Sequence, residues 1–204
     1  IGFMNYTILQ GNIIDAKVDA VVLPANTKLR EGSGTSKAIF EAAGRKDLTK
    51  VCKKIGYCEV GSAVPTYGFK LGCERIIHTV VPKWIDGNQG EYDLLCSAYY
   101  SALKMADVMK LKSMAFPLLA SGNNGFDQEI ALEIALKSIE SFQPEVLEEV
   151  IVVLYGNKIT GMVKEKGYDV GILPRNIEND KSDFLKKLRK EKIIDDAKKS
   201  QKIK

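Results

Sequence analysis

The twelve residues Phe116–Asp127, FPLLASGNNGFD, carry an apolar run straight into Ser121, Gly122, Asn123, Asn124 and Gly125, and a helical pattern follows at once. A strand that passes through a glycine loop into a helix is the repeating unit of an open α/β sheet. A helix N-terminus at that place offers unpaired backbone N–H groups and a positive partial charge, which together favour a phosphate. Glu31-Gly32-Ser33-Gly34-Thr35-Ser36-Lys37 repeats the arrangement after the run Asp19–Leu23. Either loop alone fits an ordinary βα connection, but two phosphate-sized nests in one domain suit a diphosphate.

The same alternation runs along the chain. Strand-like runs at Tyr6–Leu9, Ala20–Leu23, Ala63–Thr66, Arg75–Val81, Ser113–Leu119 and Val150–Tyr155 alternate with helical patterns. Those patterns cover Ser36–Ala43, Asp47–Ile55, Glu91–Met109, Gln128–Phe142 and Thr160–Lys166, and Val170–Leu173 suits an edge strand. Apolar strands without polar alternation need cover on both faces. The predicted fold is therefore α/β, a three-layer α/β/α sandwich around a central mixed sheet. One domain over residues 4–175 is expected, followed by a basic helical tail at 176–204, with a loop over Pro174–Asp180 and a charged helix over Ser182–Lys199.

Charge and cysteine content exclude several classes. The chain's net charge is +4, but Lys181–Lys204 holds ten Lys/Arg against four Asp/Glu, so the preceding residues carry −2. The main domain has no basic footprint, and the tail's single aromatic, Phe184, gives no stacking platform, so nucleic acid is not an expected partner. No run approaches the roughly 18 apolar residues of a membrane span. Met4 reads as the native start with no signal segment, and a cytoplasmic location is expected. Cys52, Cys58, Cys73 and Cys96 lack CxxC spacing and only His78 could join them, which argues for free buried thiols and no metal.

Familiar catalytic motifs are missing. GSGTSK departs from the P-loop because Lys37 follows Ser36, and neither GxGxxG nor GxSxG occurs. His78 lies inside the strand-like IIHTVVP, where a structural hydrogen-bonding role is expected.

Four segments in order, QGNII leading into VDAVVLPAN, then GSGTSKAIFEAAG, IIHTVVPKW and FPLLASGNNGFD, resemble the macro domain family. The resemblance runs from about Tyr6 to Lys166. It implies a mixed sheet between helices and a cleft for ADP-ribose, free or attached to a substrate, with no cofactor. At Gly11-Asn12-Ile13 the family usually has an Asp that takes the adenine amino group, with the next backbone N–H serving the ring. Asn12 replaces it here and can still accept, without the charge, or can be a turn residue. Asn26 stands where the family has an Asn facing the distal ribose; a strand-end cap is the other reading. Gly32, Ser33, Gly34 and Thr35, with Ser121, Gly122, Asn123, Asn124 and Gly125, match the two diphosphate loops. Phe126 matches an aromatic beside the distal ribose, and Tyr155 is a candidate adenine platform, although strand-end aromatics are commonly core. Hydrolytic members often carry an acid or His where Ser36 stands. A serine is no general base near neutral pH without a partner. The resemblance leaves two functions: hydrolysis of ADP-ribosyl esters, with Asn26 and secondarily Ser36 as catalytic residues, or binding of ADP-ribose without turnover.

Overall fold

Val150, Val152 and Leu154 bury their side chains on one side of a strand while Ile151 and Val153 bury theirs on the other. A strand apolar on both faces demands a helical layer above and below it. The computed structural model, which describes residues 4–190 and Lys199, supplies both layers. Its seven strands are β1 (Tyr6–Gln10), β2 (Ala20–Ala25), β3 (Ala63–Tyr67), β4 (Arg75–Val80), β5 (Ser113–Pro117), β6 (Glu149–Leu154) and β7 (Gly171–Ile172), in the order β3-β4-β2-β5-β6-β1-β7. All neighbours are parallel except β3 and β4, so the sheet is mixed with one antiparallel edge.

Helices α1 (Thr35–Ala43) and α2 (Arg45–Ile55) cover one face, where Ile39, Phe40, Leu48 and Cys52 pack on Val21, Leu23, Ile76 and Val153. On the other face α3 (Glu91–Val108), α4 (Gln128–Ser141) and α5 (Asn157–Glu165) bring Leu95, Tyr99, Leu103, Leu132, Leu136 and Val163 against Val22, Ile77, Phe116 and Val152. Residues Pro174–Lys204 form a separate compact unit that contains α6 (Ile177–Lys190). None of the helices among the described residues is long and apolar enough to cross a membrane.

Several boundaries move from those expected, each for a local reason. β2 continues through Pro24 and Ala25, because β5 pairs it only at Ala20 and Val21 and a proline is tolerated where one flank needs no ladder donor. β5 stops at Pro117, and the Leu119 N–H turns to the buried Tyr99 hydroxyl at 2.9 Å. α5 begins three residues early at Asn157, where Gly156 supplies a positive φ of 102°. α6 begins at Ile177, inside the expected loop, and the helix expected over Ser182–Lys199 lies partly outside the described residues. The cysteines are free, but only Cys52 and Cys58 are buried; Cys73 is half-buried and Cys96 exposed.

His78 has the structural role expected of it. It is 1% exposed, its Nε2 lies 2.8 Å from Thr66 Oγ1, and Phe40 meets its ring edge-on. Burial lowers its pKa from 6.5 to about 4. The folded state thus resists a proton that the unfolded chain accepts, so stability is complete above about pH 6.5 and falls as pH drops toward 4. A shift of that size is worth about 3 kcal/mol. Urea unfolding of wild type and His78→Leu at pH 7 and pH 4 checks this: the variant is less stable at pH 7 and loses less than wild type on acidification.

Candidate functional site

Parallel strands that run the same way deliver their following loops to one edge of the sheet, where open α/β folds bind ligands. Five loops meet that condition here, after β1, β2, β4, β5 and β6.

The loop after β2 turns on Asn26. Its Oδ1 accepts the Arg30 N–H at 3.1 Å and its Nδ2 donates to the Arg30 carbonyl at 2.9 Å, so the side chain holds a tight turn with Leu29 at φ 57°. This is the strand-end cap, and it leaves one amide hydrogen and one lone pair exposed. Glu31 pairs with Arg45. The Gly32 N–H then donates to Ser36 Oγ at 3.0 Å. Ser36 is only 4% exposed, so its hydroxyl shapes the loop from below. The Ser36 hydroxyl thus has a structural task in holding the loop. α1 starts after Gly34, at φ 60°, with no side-chain cap. Among the described residues nothing accepts from the N–H groups of Thr35, Ser36 and Lys37.

The loop after β5 differs from its expected geometry. Asp127 caps α4, accepting the N–H groups of Glu129 and Ile130 at 3.0 and 3.1 Å. Two of the N–H groups at the helix end are thus taken by the chain's own carboxylate. What the loop offers instead is its own backbone. Ala120 takes φ 65°, Gly125 φ 80°, and Phe126 N–H closes on the Ala120 carbonyl at 3.2 Å. Between them the N–H groups of Ser121, Gly122, Asn123 and Asn124 find no acceptor among the described residues. A Cβ on Gly122 would meet nothing within 4 Å, so that glycine faces open space. The two loops touch where Asn123 Nδ2 donates to Ser33 Oγ at 2.5 Å.

Two aromatic expectations resolve differently. Phe126 is 4% exposed and meets Trp84 edge-on, ring centroids 5.4 Å apart, so its ring packs into the core. Tyr155 is 80% exposed at the end of β6, one residue beyond Leu154, whose carbonyl accepts the Gly11 N–H at 2.9 Å. Tyr155 and the Gly11–Ile13 segment therefore share one end of the edge. Gly11 is required by packing, because a Cβ there would come within 2.7 Å of Leu173 Cβ. Asn12 caps a 3-10 turn over Ile13–Asp15 by accepting the Ile14 N–H at 3.2 Å, and the Ile13 side chain is buried.

The strap after β4 escapes sequence reading. Glu91, 1% exposed, accepts the N–H groups of Ile85, Asp86 and Gly87 on Oε2 and of Gln89 on Oε1, at 2.6–3.0 Å. Burial alone would raise its pKa, but the four backbone donors outweigh it and hold the carboxyl at about 2. Trp84 N–H donates to the Asn124 carbonyl at 2.7 Å, and Asn124 Nδ2 returns a bond to the Pro82 carbonyl at 3.0 Å. An acidic residue in the first turn of the predicted helix, after Gly90, was the available signal. Among the described residues no cluster of His, Cys, Asp or Glu could hold a metal.

The family model for the macro domain matches residues 22–135, more than half of the chain. The chain belongs to the macro domain family. A macro domain-containing protein of Methanosarcina mazei is 38% identical over 160 residues, 78% of this chain and 85% of that one. The O-acetyl-ADP-ribose deacetylase of Escherichia fergusonii is 41% identical over 139 residues, 66% of this chain and 78% of that protein. Among solved structures, the Oceanobacillus iheyensis macrodomain with ADP superimposes with a TM-score of 0.73 at 33% identity, covering 78% of this chain and 87% of that one. The Trypanosoma brucei macrodomain in complex with ADP-ribose gives 0.71 at 25% identity, covering 79% and 68%.

Because the Asp127 carboxylate caps α4 of this macro domain, Asp127→Ala should cost about 1 kcal/mol of stability. Urea titration checks it, and Asp127→Asn should recover most of the loss.

Proposed function

We propose that this macro domain binds ADP-ribose across the edge formed by Asn12, Asn26, Gly32–Thr35 and Ser121–Gly125, and hydrolyses ADP-ribosyl esters. The observation that carries the binding is the meeting, at Ser33 and Asn123, of two loops whose backbone N–H groups lack acceptors among the described residues. Those donors suit a diphosphate, with adenosine extending toward Asn12 and Tyr155 and the distal ribose toward Asn26. Relatives named for O-acetyl-ADP-ribose deacetylation support the class of reaction.

The carboxylates nearest the loops have other partners: Glu31 binds Arg45, Glu91 its strap, and Asp127 the end of α4. The only His of the sequence is buried in the sheet. Hydrolysis therefore runs on positioning. Asn26 orients a water whose oxygen bonds to the acyl carbon of the ester. A substrate phosphate oxygen takes the water's proton, and the ribose oxygen leaves as its hydroxyl after receiving a proton in turn. The same engagement of these three carboxylates also fits the second reading, a module that binds ADP-ribose without turnover.

Calorimetry tests the binding: ADP-ribose gives heat, Gly122→Val abolishes it by blocking backbone approach, and the melting temperature of that variant is unchanged because the site is open. No heat with wild type at millimolar ADP-ribose refutes the proposal. For catalysis, release of acid from O-acetyl-ADP-ribose separates the two readings. In the hydrolase Asn26→Ala costs on the order of 10²-fold in turnover, since a misplacement of about 1 Å has that effect. Ser36→Ala removes one hydrogen bond, roughly tenfold at most. The opposite ordering would move the chemistry to the first loop.

A further inference from the structure

The loop that carries most of the unpaired N–H groups is not rigid by its own bonds. Within Ser121–Phe126 the backbone closes on itself only through Gly125 N–H to Gly122 and Phe126 N–H to Ala120. Its outer side rests on the strap after β4, through Trp84 N–H to the Asn124 carbonyl, Asn124 Nδ2 to the Pro82 carbonyl, and the Trp84 ring over Phe126. The strap in turn has few contacts of its own. Residues 85–89 are gathered by one side chain, Glu91, whose two oxygens take four backbone N–H groups, and Asp86 Oδ1 takes the N–H of Asn88. Tyr92, next to Glu91 on α3, closes the other side of the Trp84 ring at 5.4 Å.

We propose that Glu91 is a positioning residue of the ligand site, setting the diphosphate loop through Trp84 and Asn124 without touching the ligand. The chain of cause is physical. A carboxylate at the first turn of α3 is held by charge-assisted bonds and by the helix end, both stronger than neutral contacts. It fixes the N–H vectors of residues 85–89, and hence the place of Trp84. Asn124 is then held from two points of the strap, its carbonyl by Trp84 N–H and its side-chain amide by the Pro82 carbonyl. The four open N–H groups of Ser121–Asn124 point where these bonds set them, and hydrogen bonds weaken steeply once their angles stray.

The ligand arm of the test rests on the proposed ADP-ribose binding; the exchange arm does not. Hydrogen exchange is measured by NMR on wild type, Glu91→Ala, Glu91→Gln and Asn124→Ala, with ADP-ribose affinity by calorimetry. Glu91→Ala speeds exchange at Gly125 and Phe126 by tenfold or more, while β1 and β6 amides stay as protected as in wild type. Glu91→Gln, which keeps one acceptor oxygen for three of the four donors, recovers part of the protection even if the alanine variant fails to fold. ADP-ribose affinity falls about tenfold in Glu91→Ala and in Asn124→Ala, and the double variant is little worse than either. Additive losses, unchanged exchange at Gly125 and Phe126 in both Glu91 variants, or exchange that rises equally in β6 would each overturn the assignment. If exchange responds as stated but wild type gives no heat with ADP-ribose, the positioning role stands and the binding reading falls.

Discussion

Burial of β2, β4, β5 and β6 on both faces is the constraint from which the site follows. A parallel strand pair cannot be joined by a tight turn, so each connection must run back along the sheet to the starting end, mostly through a helix; between β1 and β2 only the 3-10 turn Ile13–Asp15 intervenes. That geometry places every functional loop on one edge before any loop residue is chosen. It also forces the helices to begin at that edge, with their N–H groups pointing outward. The sheet thus creates a surplus of backbone donors, and the loop sequences decide which of them remain open.

That decision is made by side chains competing with a ligand for the same N–H groups. Asp127 takes those at the start of α4, and Glu91 takes those of the strap. At α1 the competitor is absent: Gly34 has no side chain to cap with, and Ser36 Oγ faces back to Gly32. Of these two loops the first therefore presents a helix N-terminus without a side-chain cap, while the second presents a curved run of main chain. An anion spanning both meets two different kinds of donor, one axial and one lateral.

Much of the fold was legible because strand runs such as VIVVL and FPLL are set by β-branched and aromatic residues whose burial on two faces leaves one solution. The glycine loops were legible for the same reason that they are open, since few other residues tolerate φ near 60–80° as Gly34 and Gly125 do. Less legible were roles decided by tertiary neighbours. Phe126 looks like a ligand aromatic until Trp84, forty-two residues away, is seen lying over it. Ser36 stands at a functional address but spends its hydroxyl on Gly32. Asp127 carried a readable signal, an N-cap residue at a helix start, that outweighs the loop glycines beside it.

The strap explains why the aromatic and the acid after β4 occur together. Trp84 needs a rigid backbone to donate accurately to Asn124, and residues 85–89, with Ile85 69% exposed, have almost no apolar burial with which to achieve it. A buried carboxylate without partners would be costly, and here four N–H groups repay that cost. The result is a hard polar joint in a place where packing cannot supply stiffness. Selectivity for a ligand recognised through neutral N–H groups depends on angles more than on charge, because such donors act over short distances and lose strength quickly off axis. A loop of that kind is only as discriminating as its support, and here the joint stands beside the Ser121–Phe126 loop.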